Sequence, residues 1–189
     1  MTGEAFPDSV RRLLAARSPV LHERGGLLPA SVLVPLFAPS PQGTPEVWLV
    51  RRADDLRVHS GQVALPGGKK EPTDTDLLTT ALREAEEEIG LAPAEVDVLG
   101  QLDDCVTVTG FVVTPFVGWI AQPFTPRPLA MEVARVFALP LSTFERPTRT
   151  MRVGADGHER VVFSYEAGGE TIWGTTARIL AGFSDLLRA

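Results

Sequence analysis

Three glutamates, Glu84, Glu87 and Glu88, stand at i, i+3 and i+4 in a stretch with helical apolar spacing. At about 100° per residue their carboxylates share one side of a helix. Clustered carboxylate oxygens are what a hard divalent cation needs. Leu78, Ala81, Leu82, Ala85 and Ile89 fall on one arc, which predicts the buried face. Glu88 lies at the edge of that arc, where a purely solubilising glutamate is not expected, while Glu86 points to solvent. The cluster is a poor arrangement for stability alone. Like charges on neighbouring turns cost a few tenths of a kcal/mol per pair, and anions in the last turns oppose the helix dipole. Mg²⁺ or Mn²⁺ would supply the missing counter-charge. From this helix by itself, a solvated acidic patch partly balanced by Arg83 is an equal reading.

The preceding segment shifts that balance. Gln62 to Leu65 reads as a short strand running into Pro66-Gly67-Gly68, and two glycines let backbone approach a ligand closely. Lys69 and Lys70 follow and could meet phosphate. The segment is not a Walker loop, because the Gly-Lys-Ser/Thr ending is missing. The helix itself is predicted over Asp74 to Ile89, with Asp74 or Asp76 as cap and Gly90 as its left-handed end.

The elements that must position this helix are legible in outline. A helix is expected over Pro7 to Arg17, with Val10, Leu13 and Leu14 as its apolar stripe. Strands are expected at Ser31 to Phe37 and Val47 to Arg51, joined as a hairpin across Pro41 to Pro45. Further strands read at Val96 to Leu102, Phe111 to Ile120 and Val133 to Leu139, the last followed by a turn of helix at Leu141 to Phe144. A late hairpin, Val161 to Tyr165 with Thr171 to Trp173, precedes a closing helix over Thr175 to Leu187. Helices interspersed with strands that have short links favour a mixed sheet between helices. Nothing in the 189 residues reads as a linker, so one domain over 1–189 is expected, with residues 1–30 as an N-terminal helix and lead-in.

Composition narrows the function classes. A net charge of −6 argues against a general nucleic-acid binder, which needs a basic footprint. No apolar run reaches the length of a membrane span, and the first residues lack the pattern of a signal peptide, so a cytoplasmic protein is the default expectation. Cys105 is the one cysteine, which leaves no internal disulfide and no cysteine cluster for zinc, and it reads as a small, partly buried side chain. The expected partner is a small molecule. Monomer and homodimer remain open.

The string Arg83-Glu84-Ala85-Glu86-Glu87-Glu88-Ile89-Gly90-Leu91 resembles the second half of the Nudix box, with every fixed position filled. In the first half Gly68 is followed after five residues by Asp74, and then by eight residues before Arg83. The spacing is one residue longer than the family's, with Asp for Glu, and Asp74 reads as a plain helix cap. Upstream, Arg52-Ala53, then Arg57, Gly61 and Leu65-Pro66-Gly67-Gly68 look like the signature of the branch that hydrolyses coenzyme A. Leu65 stands where that branch usually has Phe, and Trp48-Leu49-Val50 replaces its Leu-Leu-Thr. Glu132-Val133 through Pro140-Leu141 and Ile172-Trp173-Gly174 to Arg178 are similar to its other recurring segments.

The resemblance implies an α/β/α sandwich with a mixed sheet, and hydrolysis of a nucleoside diphosphate linked to another group. Glu84, Glu87 and Glu88, with the carbonyl of Gly68, would hold the metal, and one glutamate would act as base. Glu132 is a candidate from outside the helix, though a structural role is the stronger reading. Arg83 would orient the carboxylates. Arg52 and Arg57 would meet phosphates, with Gly61, Gly67 and Lys69 as further substrate contacts. His59 and Gln62 would line the same loop, and Trp173 is expected in the core. A Nudix hydrolase of another substrate (NADH, ADP-ribose or a nucleoside triphosphate) and a non-catalytic binding module on the same fold are the competing readings.

Overall fold

Strand alternation sorts the apolar residues of this chain onto two faces, and helices cover both. The computed structural model describes residues 5–23, 25–40, 43–54, 60–153, 157 and 159–189. Arg57 and His59 lie outside the described residues. The main sheet is built on β1 (Leu28–Phe37), β2 (Glu46–Arg52), β3 (Val63–Ala64), β5 (Val96–Gln101) and β7 (Phe111–Ile120), in the order β3-β2-β1-β7-β5. Three more strands attach to it. β4 (Gly67–Lys69) pairs with β1, β6 (Cys105–Val106) with β7, and β8 (Val133–Pro140) with β2. β1 and β7 run parallel and the other pairs antiparallel, so the sheet is mixed as expected.

Along β1, Val32, Val34 and Leu36 point to one face while Leu33 and Phe37 point to the other. Along β2, Val47 and Leu49 oppose Trp48 and Val50 in the same way. The second face is closed by α2 (Leu77–Ile89), through Ala81, Ala85 and Ile89 packed on Leu33, Val50 and Ile120. The first face is closed by α1 (Ala5–Ala15) and α3 (Gly174–Arg188), through Phe6, Val10, Leu14, Ala177, Leu180 and Phe183. This is an α/β/α sandwich. A separate antiparallel sheet, β9 (Thr148–Val153), β10 (Glu159–Ala167) and β11 (Glu170–Trp173), sits beside it.

The structure departs from the sequence reading at several points. Gly67 to Lys69 is a strand rather than a loop, because its backbone pairs with Ala30 to Val32 of β1. Helix α2 begins at Leu77, and its cap is Asp76, which accepts the N–H of Thr79 at 2.7 Å. Asp74 is not the cap. On the helix, Leu78 is only half-buried, whereas Thr80 is fully buried. Cys105 is fully buried. Trp173 is 49% exposed instead of core, because its neighbour Ile172 takes the inward face of β11 and alternation turns Trp173 outward. Among the described residues no helix is long and apolar enough to cross a membrane.

Candidate active site

The face of α2 that carries the glutamates lies against β4, and the contact is built by glycine. A Cβ placed on Gly68 would overlap the Glu84 carboxylate, and one on Gly67 would overlap the backbone of Ser31 and Val32. With neither side chain present, the Gly67 N–H reaches Glu88 Oε2 at 3.1 Å. Glu88 is 2% exposed, and its other oxygen lies 3.5 Å from Arg52 Nη1 at the end of β2. Burial pushes the Glu88 carboxyl up to about 7, against the pull of the Gly67 N–H and Arg52, and the charges of Glu84 and Glu132 push it the same way. Glu84 is raised too, mainly by burial, with Arg83 opposing and Glu87 and Glu132 adding to the rise.

Glu132 therefore belongs to this cluster in space. Its loop is held there by the open C-terminal end of α2. Ile89 O accepts from the N–H of Arg127 at 2.8 Å and Glu88 O from that of Leu129 at 3.0 Å. The chain then turns on bonds from the N–H groups of Glu132 and Val133 to the Leu129 carbonyl, both at 2.9 Å, and the Glu132 carbonyl accepts from the N–H of Ala53 at 2.9 Å. The sequence could rank Glu132 only as a candidate, because this placement rests on contacts far apart along the chain.

Arg83 organises the outer side. Its Nη1 meets Glu87 Oε2 at 2.9 Å and its Nη2 meets Glu84 Oε1 at 3.0 Å and the Lys69 carbonyl at 3.2 Å. Its Nε and Nη2 are received by Asp74 Oδ1 and Oδ2 at 3.0 and 3.2 Å. Asp74 is 4% exposed and also accepts from the Glu71 N–H at 2.8 Å and the Thr80 hydroxyl at 2.9 Å. The Arg83 bonds hold the Asp74 carboxyl well below the ordinary carboxylate range. The residue read as a cap is thus the buried anchor of Arg83.

Not every expected site residue converges. Glu87 is half-exposed and held outward by Arg83. The Lys69 side chain leaves on the face opposite Gly68, as alternation requires, and its ammonium lies 5.4 Å from the Phe111 ring centroid. Lys69 contributes its carbonyl to Arg83 instead. Lys70 is bonded to the Asp74 carbonyl. Gly61 has φ 66°, and a Cβ there would meet Asp54 Oδ1 at 2.9 Å, so glycine suits this turn.

Among the described residues, no three His, Cys, Asp or Glu side chains form a ready-made metal cage. The donor set fits Mg²⁺ or Mn²⁺ in another way. Glu84, whose carboxylate lies against Gly68, and the buried Glu88 offer two carboxylates from one helix, and Mg²⁺ is commonly held by one or two carboxylates together with substrate phosphates. The buried, proton-seeking Glu88 is the observation that fits a cation. Replacing Gly68 with Ala is expected to displace Glu84 and lower kcat by about 10²-fold with little change in melting temperature, on the scale of a 1 Å misplacement at a reacting centre. Steady-state kinetics with a thermal melt would check this, and an unchanged kcat would sink the close-approach argument.

Comparison with known proteins agrees with this architecture. The NUDIX domain family matches residues 27–162. Over 182 residues the chain is 38% identical to the uncharacterized Nudix hydrolase NudL of Pectobacterium atrosepticum, covering 95% of this chain and 93% of that protein. Over 155 residues it is 41% identical to the NudL protein of Yersinia enterocolitica, covering 80% and 77%. The crystal structure of the M. smegmatis Nudix hydrolase RenU superposes with a TM-score of 0.52 at 23% identity, over 67% of this chain and 81% of that one. The C. elegans Ap4A hydrolase binary complex superposes with a TM-score of 0.51 at 17% identity, over 60% and 80%. Those two likenesses are of fold alone. The chain belongs to the Nudix family. It is a Nudix hydrolase, a pyrophosphohydrolase of some nucleoside diphosphate derivative, in a family that generally uses divalent ions such as Mg²⁺ or Mn²⁺.

Proposed function

We propose that the substrate is coenzyme A or a derivative, cleaved by water at the diphosphate to 4′-phosphopantetheine and adenosine 3′,5′-bisphosphate. The observation that carries this reading is the position of Arg52. The signature Arg52-Ala53, Arg57, Gly61, Leu65 to Gly68 opens at a guanidinium beside the buried Glu88, and the Arg52 Nε is itself buried with no hydrogen-bond partner among the described residues. A buried donor of this kind calls for an anionic acceptor. A substrate phosphate beside Glu88 supplies one.

In this reading Glu84, Glu87 and Glu88, with the Gly68 carbonyl, would hold the metal. The bound ion would neutralise diphosphate charge and lower the pKa of a water. Arg83, braced by Asp74, keeps the Glu84 carboxylate directed toward Gly68. Arg52 orients the diphosphate through its Nη1 and Nε. Glu132 or one of the helix glutamates accepts the proton of the attacking water. Arg57 and Gly61 are assigned to the substrate by the signature.

The test is kcat/KM for coenzyme A against 3′-dephospho-coenzyme A, NADH, ADP-ribose and a nucleoside triphosphate. Coenzyme A is expected to lead by at least about tenfold over each, the scale of one charge-assisted contact of about 1.5 kcal/mol. A higher value for any other panel member would replace coenzyme A as the substrate and leave the carboxylate chemistry standing.

A further inference from the structure

The turn that leads into Glu132 presents carbon where turns usually present polar groups. Leu129, Ala130 and Met131 are all exposed, Leu129 by 42% and Met131 by 83%. Turn positions are mostly filled by Gly, Pro, Asn, Asp and Ser, which free the backbone or bond to it. Leu129, Ala130 and Met131 do neither. Nor are they packed into the apolar core on either face of the main sheet.

The backbone beneath these side chains is fixed. The Leu129 N–H bonds the Glu88 carbonyl at 3.0 Å, the Leu129 carbonyl accepts from Glu132 and Val133, and the Glu132 carbonyl accepts from Ala53. The turn is thereby tied at one end to the residue that bears the buried carboxylate, and at the other to the neighbour of Arg52. The charge of Glu132 acts on both Glu84 and Glu88, so the turn stands at the rim of the carboxylate cluster. An exposed methionine on a clamped backbone is an adaptable apolar contact waiting for a partner from outside the chain.

Position selects that partner. With a diphosphate beside Arg52 and Glu88, the substrate atoms within reach of residues 129–131 are those a few bonds from phosphorus. In coenzyme A the arm leaving the diphosphate begins with a methylene and a quaternary carbon that bears two methyl groups. In NADH and ADP-ribose the same place holds a second ribose, and in a nucleoside triphosphate a further phosphate. A ribose or phosphate set against Leu129 and Met131 would lose hydrogen bonds to water and gain none, whereas the two methyl groups match them. We propose that Leu129 and Met131 receive the dimethyl carbon of the pantoyl arm and so select coenzyme A over dinucleotides and sugar nucleotides. This rests on coenzyme A as the substrate and adds the residues that choose it. The thiol at the far end of the arm lies outside the contact, so its acylation should not alter the effect.

Leu129→Ser with Met131→Ser, in the full chain, tests this. The ligands are coenzyme A, acetyl-coenzyme A and ADP-ribose, the last measured as substrate or as competitive inhibitor. Both side chains are exposed, so the melting temperature should not change. For coenzyme A and its acetyl thioester kcat/KM should fall about tenfold, the scale of a lost apolar contact, while the constant for ADP-ribose stays within about twofold. Met131→Leu alone, which keeps an apolar side chain, should retain the wild-type preference. Equal losses for all three ligands, or a double variant with the wild-type preference, would overturn the proposal and leave coenzyme A standing as the substrate. A wild type that does not cleave coenzyme A would overturn the substrate reading and the proposal with it.

Discussion

Glu88→Gln should lower kcat by roughly 10²–10³-fold, about 3–4 kcal/mol of transition-state stabilisation, while raising the melting temperature of the metal-free protein at pH 8. The two effects have one cause. Glu88 has a folded pKa of about 7 against an ordinary 4.5. Between those values the folded chain holds a proton that the unfolded chain has released. Stability therefore falls as pH rises from 4.5 to 7, by about 3 kcal/mol in total. Glutamine keeps an oxygen for the Gly67 N–H and carries no charge, so it escapes that cost above pH 7. Mg²⁺ should raise the wild-type melting temperature and leave that of the variant nearly unchanged. A variant that is inactive and also less stable at pH 8 without metal would show that Glu88 holds the fold together rather than storing an unfavourable charge for chemistry.

Asp74→Asn is expected to act in the opposite sense, through stability first. It leaves the Arg83 guanidinium without its buried carboxylate, and breaking a buried pair from one side costs several kcal/mol. Arg83 keeps Glu84, Glu87 and the Lys69 carbonyl, so a loss on the order of 3 kcal/mol at pH 7 is expected, or roughly 6–12 °C in melting temperature. The Asp74 carboxyl is depressed in the folded state, so its contribution is complete above the ordinary value near 4 and is lost as pH falls. Wild type and variant should thus converge in acid. Activity should fall by about 10–100-fold, with kcat more affected than KM, because Arg83 no longer holds Glu84 in place. Melts from pH 2 to pH 7 would check the first part: the gap should hold steady above about 4 and narrow below it, and a gap that does not narrow in acid would contradict the pairing.

The two residues just described were not equally legible. Glu84, Glu87 and Glu88 could be read from the sequence because a helix fixes i, i+3 and i+4 on one side wherever it sits. The buried edge position of Glu88 followed from the same wheel. Asp74 was misread because two acids near a helix start give the same capping signal, and which one caps depends on where Arg83 finds its acceptor. Gly67 to Lys69 carries no alternation of apolar residues, so its pairing with β1 left no trace in the pattern. Lys69 was assigned by its charge alone, although one step along a strand turns it away from Gly68. Trp173 was assigned to the core by its size, while the face it takes is set by Ile172. The exposed β9, Thr-Arg-Thr-Met-Arg-Val, has no buried face within its own chain to mark it.

The most direct measurement of the central claim is chromatographic analysis of products from coenzyme A, Mg²⁺ and purified protein, with Glu88→Gln in parallel. The account predicts 4′-phosphopantetheine and adenosine 3′,5′-bisphosphate appearing in equal amounts with the wild type, none without the metal and almost none with the variant. Equal product formation by wild type and variant would contradict it, since cleavage would then not run through the buried carboxylate of α2.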